Sequence, residues 1–340
     1  MERQPKSENG TKENFNSTIF DGEATKETHW AAMPVFIAVF LIVLVLMTTT
    51  GNLVVCRLFW VCRRMRIPSF YFVVSMSFSD FLMGVLVIPM GLAYHMTFQT
   101  TGRWIFGSFF CNLWLFLNFL LCSASIFNLC VVSGDRYIAV TSPLKYMSRM
   151  NERRVKQIIG IAWCAALILA SFIIYGTNAS KNNSKNCSIW GLHYEYSIAL
   201  LVAGYALPVS FLVFANGKVL FIARTHLNKI HAQEFSLSTL SEGPVASCGP
   251  ATRSKQMPSK TRIRREIRIF KTFLIVTCAF LISWTPFVVI LLIDSMFNVP
   301  ELIRHSSIIL LYCNSALNPF IYGFYNAEFR KALSESLGCK

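Results

Sequence analysis

Residues Cys111–Tyr137 read CNLWLFLNFLLCSASIFNLCVVSGDRY, an apolar run that ends abruptly in charge at Asp135-Arg136-Tyr137. Followed back to Trp104, the stretch up to Gly134 holds 31 residues without a single Asp, Glu, Lys or Arg. At about 1.5 Å per residue, a helix of that length crosses a hydrocarbon core of about 30 Å with tilt to spare. A cysteine marks one end and the charged triplet the other. The helix is therefore expected to join two aqueous faces, with the rest of the chain packed around it.

Six further segments carry no charge or only one: Ala31–Cys56, Ile67–His95 (only Asp80), Gln157–Ser180, Tyr196–Gly217, Thr272–Ile293 and Ser306–Ala327. Each is long enough to span, and a soluble core helix rarely stays uncharged for so long. With 54% hydrophobic and 14% charged residues, the composition is that of a membrane protein. The expected fold is all-α, a seven-transmembrane helix bundle over residues 31–325. A polar N-terminus (1–30) precedes it, a third cytoplasmic loop spans about 224–262, and a short tail (326–340) follows. The net charge of +15 would suggest nucleic acid in a soluble chain, but its placement argues otherwise. With the N-terminus outside, the cytoplasmic segments hold 24 of the 32 Lys and Arg, whereas the outer segments hold 8 of them and 9 acids. This positive-inside asymmetry accounts for the excess without nucleic acid.

Residues 1–30 contain no apolar core for a cleavable signal, so the first span is expected to direct insertion. Five glycosylation sequons, at Asn9, Asn16, Asn178, Asn182 and Asn186, all fall on the outer side. Of the 11 cysteines, only Cys111 and Cys187 lie on the oxidising side, so one bridge, Cys111–Cys187, is expected. Cys339, near the C-terminus, is a candidate for palmitoylation or a plain free thiol.

Several spans carry polar groups that need partners. Asn52 must face neighbouring helices, and Asp80 is an intramembrane carboxylate, a functional-site candidate on cost alone. Ser125, Asn314, Ser315 and Asn318 lie at comparable depth. One carboxylate among hydroxyl and amide oxygens suits a hard cation such as Na⁺, the alternative being a water-filled polar network without a fixed ion. Pro208, Pro286 and Pro319 each interrupt a span and remove a backbone hydrogen bond. At the inner end, Arg136 needs a counter-charge. Asp135 supplies one, and Glu266 at the base of the sixth helix offers another, which would make a lock between the third and sixth helices.

Asn52, Asp80, Asp135-Arg136-Tyr137, Trp163, Pro208, Ser283-Trp284-Thr285-Pro286 and Asn318-Pro319-Phe320-Ile321-Tyr322 occur one per span and in order. Over about residues 31–335 the chain resembles the rhodopsin-like (class A) G-protein-coupled receptors. Trp104-Ile-Phe-Gly107, Ser123-Ala-Ser-Ile-Phe-Asn-Leu129 and Phe329-Arg-Lys-Ala332 look like the amine-receptor branch, and within it the trace amine-associated receptors. The resemblance implies a plasma-membrane receptor that senses an extracellular small molecule and activates a heterotrimeric G protein of Gs or Golf type, with no catalytic residues. It also implies arrestin and receptor kinases as partners, for which Ser236, Ser238, Thr239 and Ser241 are candidate phosphorylation sites. Allosteric Na⁺ is implied at Asp80, and a core relay at Ile126, Pro208 and Phe280 beneath Trp284. Tyr322 should swing inward on activation. Its usual tyrosine partner on the fifth helix is here Asn216, a departure from the pattern. Residues 326–337 are expected to form an amphipathic helix on the membrane, touching lipid.

The pocket is where the pattern breaks. Amine receptors place an aspartate on the third helix as counter-ion to the ligand ammonium, and the matching position is Asn118. An alternative acid position on the fifth helix is Leu200. Desolvating an ammonium without a counter-charge costs several kcal/mol or more. The candidate ligand contacts are Asn118, Leu200, Trp284, Phe287 and Tyr312, with Glu195 and Arg304 for a ligand charge. A trace-amine-like or olfactory ligand and a neutral or anionic one, sterol-like or sulfated, both stay open. A transporter or channel is disfavoured, because no inverted repeat is present and only Asp80 is charged deep within a span.

Overall fold

The computed structural model describes residues 16–142, 146, 150–179, 187, 194–241, 257–294, 296–297, 299–336 and 338. Seven helices among these residues are long and apolar enough to cross a membrane: α1 (Val35–Val61), α2 (Pro68–Phe98), α3 (Gly107–Thr141), α4 (Glu152–Phe172), α5 (Glu195–Thr225), α6 (Ile267–Asp294) and α7 (Glu301–Tyr325). A short helix, α8 (Ala327–Ser336), follows at once. Asn326 caps it, its side-chain oxygen accepting from the backbone N–H groups of Glu328 and Phe329 at 3.1 and 3.2 Å.

The bundle is organised around α3. It packs on α2, α4, α5 and α6, and 61% of its most apolar stretch is buried, against 22% for α4 and for α5. Those outer helices turn Ile161, Ile168, Phe214 and Phe221 towards the lipid side, where tails are as apolar as the side chains and nothing is gained by hiding them. The interior is aromatic and tight: Phe72, Phe270, Phe273, Phe280 and Tyr322 are each at most 1% exposed. Polar groups between spans are used as cross-ties. The Asn52 amide donates to the Ser315 carbonyl at 3.0 Å, joining α1 to α7, and the Trp163 indole donates to Ser75 Oγ at 3.0 Å, joining α4 to α2. Small residues admit close approach. A Cβ on Gly51 would stand 3.0 Å from the Pro319 ring, and one on Gly84 would stand 2.7 Å from Thr49 Oγ1.

Three features differ from the sequence expectation. The helix leading into α1 already begins at Asn16. The helix of α5 runs on to Ser241, and that of α6 starts at Met257, so much of the 224–262 segment is helical. Residues 218–241 contain no Gly or Pro to stop the first extension, which ends just before Gly243-Pro244. Pro258 sits in the first turn of the second, where its missing N–H costs nothing. The prolines also act less uniformly than expected. Pro286 and Pro319 lie inside regular helix, whereas Pro208 is preceded by a π-helical turn, Leu200–Ala206. A second such turn, Met83–Val87, precedes Pro89. Widening the turn ahead of a proline relieves the clash of its ring with the carbonyl four residues back.

Candidate functional site

Polar side chains collect at three levels along α3. At the inner end, Asp135 and Arg136 are each 2% exposed. Arg136 Nε donates to Asp135 Oδ2 at 3.0 Å, and its Nη2 donates to the same oxygen and to Ser69 Oγ on α2. The Tyr146 hydroxyl, from the connection after α3, donates to Asp135 Oδ1 at 2.7 Å and accepts from Arg136 at 3.3 Å. The guanidinium also lies 6.0 Å from the centre of the Tyr146 ring. An ion pair this buried is sustained only because both partners are further hydrogen-bonded. Tyr137 turns away, with its ring 6.5 Å from that of Phe214 on α5.

At mid-depth, Asp80 (1% exposed) accepts from Ser315 Oγ at 2.7 Å and from Asn318 Nδ2 at 2.8 Å. The side-chain carbonyls of Asn314 and Asn318 are buried without a partner, and Ser125 is buried on α3. A carboxylate beside spare carbonyl oxygens is a donor set that fits a hard cation. Just above, Phe280 stacks on Trp284 with centroids 5.0 Å apart, and Trp284 meets Phe287 edge-on at 6.4 Å. Ile126 is fully buried, and the Cys130 thiol donates to the Pro208 carbonyl at 3.6 Å, tying α3 to α5.

At the outer level, Asn118 Nδ2 donates to the Tyr312 hydroxyl at 3.1 Å, across from α3 to α7. The Cys122 thiol donates to Asn118 Oδ1 at 3.4 Å. Both ends of the amide thus meet neutral partners. An aromatic wall rises beside it. A Cβ on Gly91 would touch both Trp114 and Tyr312 at 3.6 Å. Trp114 stacks on Trp104 at 5.8 Å, and Tyr94 lies within 6.1 Å of both indoles and 5.9 Å from His305. The Cys111–Cys187 disulfide, with Cα atoms 5.5 Å apart, fastens the outer connection to the top of α3.

Not every candidate joins this group. Leu200 packs on Phe119, Leu169 and Ala170, at the junction of α3, α4 and α5. Glu195 is exposed. Arg304 is paired with Asp294 at 3.4 Å, bridging the outer ends of α7 and α6, so its charge is already answered. Asn9, Asn182, Asn186 and Cys339 lie outside the described residues, as do the side chains of Asn16, Asn178 and Glu266.

The family description that matches the chain, over residues 51–322, is 7 transmembrane receptor (rhodopsin family). The chain belongs to the rhodopsin family of seven-transmembrane receptors. Among its relatives, a D(1)-like dopamine receptor of Oreochromis mossambicus is 31% identical over 320 residues, 88% of this chain and 78% of the relative. A D(1A) dopamine receptor of Xenopus laevis is 29% identical, covering 96% and 77%. The 5-hydroxytryptamine receptor 4 of Homo sapiens is 29% identical, covering 93% and 83%. This rhodopsin-family receptor is a multi-pass membrane protein and no enzyme, and its partners are a small-molecule ligand and a G protein.

Sequence reasoning about the receptor missed several residues. Ser69 and Tyr146 complete the knot around Arg136, Cys122 completes the setting of Asn118, and Ser133 and Thr277 surround Asn216. A buried charge signals that hydroxyls are needed, but not which ones. Pro89 was the one available signal for the π turn of α2.

Proposed function

We propose that this receptor takes an extracellular amine-like small molecule at the Asn118–Tyr312 level and passes the signal to a Gs or Golf-type G protein. The observation that carries the reading is the Asn118–Tyr312 hydrogen bond between α3 and α7, beside an aromatic wall. The relatives named for dopamine and 5-hydroxytryptamine support the amine class. With a neutral amide at this position, the ligand amine is held by hydrogen bonds and aromatic faces rather than by an ion pair at Asn118. The N-terminus faces outside, on the strength of the basic inner segments and the outer sequons. Arrestin and receptor kinases act on the inner face, and the membrane is the plasma membrane. An olfactory role and glycosylation stay part of this proposal.

Asp80, Ser125, Asn314, Ser315 and Asn318 would hold Na⁺, whose charge would balance the buried carboxylate. The expected sign is a sodium-sensitive ligand affinity that vanishes in Asp80→Asn, while equal sensitivity in both proteins removes the ion from this site.

A second reading, a receptor for neutral or anionic ligands, is favoured by one observation: both ends of Asn118 are satisfied by neutral groups. The experiment is a second-messenger assay in transfected cells, comparing wild type with Asn118→Asp on matched amines, neutral analogues and organic anions. Amine responses in wild type, strengthened by Asn118→Asp, support the first reading. A wild type that ignores amines but answers anions, with the preference reversed by Asn118→Asp, establishes the second.

A further inference from the structure

Asn216 stands on the inner half of α5, 5% exposed, among Leu212, Ala215 and Val219, which are at most 2% exposed. A carboxamide in such surroundings is costly unless it is bonded. Its Nδ2 donates to Ser133 Oγ on α3 at 3.3 Å and to Thr277 Oγ1 on α6 at 3.4 Å. Ser133 and Thr277 are themselves 0% and 4% exposed. The Thr277 hydroxyl gives its own hydrogen to the Phe273 carbonyl at 2.9 Å, so its oxygen is available to accept. One amide group therefore joins three helices in a buried interior.

The joint matters because of how α6 is held elsewhere. α6 packs broadly on α7 but thinly on α3 and on α5. On the outer half, Tyr205 and Thr285 share a hydrogen bond of 2.6 Å between α5 and α6. On the inner half, Asn216 ties α6 to α3 and α5 through Thr277 and Ser133. We infer that Asn216 is a positioning residue for the signalling switch: its forked amide holds the inner half of α6 against α3 and keeps the ligand-free receptor closed. The inference rests on the reading of α6 as the element that moves outward to admit the G protein. An outward step separates Thr277 from Asn216 and leaves a buried donor short of an acceptor, which biases the equilibrium towards the closed form.

The test reads ligand-free guanine-nucleotide exchange by the full-length receptor, at equal surface amounts, on a panel of purified heterotrimeric G proteins. Asn216→Leu keeps the side-chain size and removes the donor, and basal exchange is expected to rise about fivefold, in keeping with loss of the one hydrogen bond to α6. Thr277→Val is expected to match it, Thr277→Ser, which keeps the oxygen, to stay at the wild-type level, and Ser133→Ala to rise less. The Asn216→Leu/Thr277→Val double variant is expected to rise no further than either single one, because both remove the same tie. A merely structural role for Asn216 would not separate Thr277→Val from Thr277→Ser. Should Asn216→Leu fail to reach the membrane, that threonine pair decides alone. Basal exchange that is unchanged or lowered in Thr277→Val on every G protein overturns the inference. No ligand enters the measurement, so failure of the amine reading and failure of the Asn216 joint are told apart.

Discussion

The two ends of α3 handle polarity in different ways. Asn118 and Arg136 lie about 27 Å apart along one helix, taking 1.5 Å per residue. At the inner end, a full negative and a full positive charge are buried together, and hydroxyls from Ser69 and Tyr146 complete their bonding. At the outer end, a neutral amide meets a phenol and a thiol. Removing one partner of a buried ion pair leaves an uncompensated charge, a penalty of about 3–5 kcal/mol. Exchanging a neutral hydrogen bond for a ligand's changes about 1 kcal/mol. Loss of either inner partner is therefore costlier than loss of a bond at the outer end. On the proposed reading, the outer end is re-bonded by the ligand that enters it, and the inner pair answers as a unit.

The comparison is most easily broken at Arg136. Arg136→Ala is expected to lower agonist-stimulated nucleotide exchange by about 100-fold or more, while agonist affinity changes less than about threefold. Normal exchange at equal surface density would remove the inner knot from the signalling path. Next in size is Cys111→Ser at the outer end. A disulfide of this kind contributes about 2–4 kcal/mol, and surface receptor is expected to fall about tenfold. Unchanged surface labelling and binding would show that the outer connection holds without it. Tyr146→Phe sharpens the inner side. It deletes the hydroxyl bonded to both Asp135 and Arg136, about 1–2 kcal/mol, and ligand-free exchange is expected to rise several-fold. Tyr312→Phe is its outer counterpart. Loss of the acceptor for Asn118 is expected to change agonist potency about threefold and leave basal exchange untouched, and a basal change would show that the two ends are not separable in this way. The smallest effect belongs to Arg304→Gln. That pair is partly open to water and contributes about 0.4 kcal/mol or less, so potency is expected to move less than about twofold for ligands of any charge.

Much of this contrast was legible beforehand, and for identifiable reasons. Asp135-Arg136 was visible because charge at the end of an apolar run has no neutral interpretation. Asn118 was visible because the motifs fix a register on α3 from which positions can be counted. The partners were harder to see. Tyr146 lies in a connection with no periodicity to place it, and Ser69 is one of several serines on α2. Leu200 illustrates the opposite difficulty. The π turn at Leu200–Ala206 alters the register ahead of Pro208, and the side chain packs on Phe119 and Leu169. Matching positions along a span assumes regular helix, and this span is not regular there.

The sequence by itself determined the number of spans, the centrality of the third helix, the cysteine pair and the sites at which buried polarity had to be answered. These follow from transfer free energies, which each segment carries regardless of its neighbours. Only the tertiary structure decided which group answers which: Tyr312 and Cys122 for Asn118, Ser69 and Tyr146 for the ion pair, Ser133 and Thr277 for Asn216, and Asp294 for Arg304. Hydrogen bonds act over about 3 Å and depend on direction, so their partners are set by how the helices rotate and cross. Those angles come from side-chain packing across the whole bundle, which no single segment records.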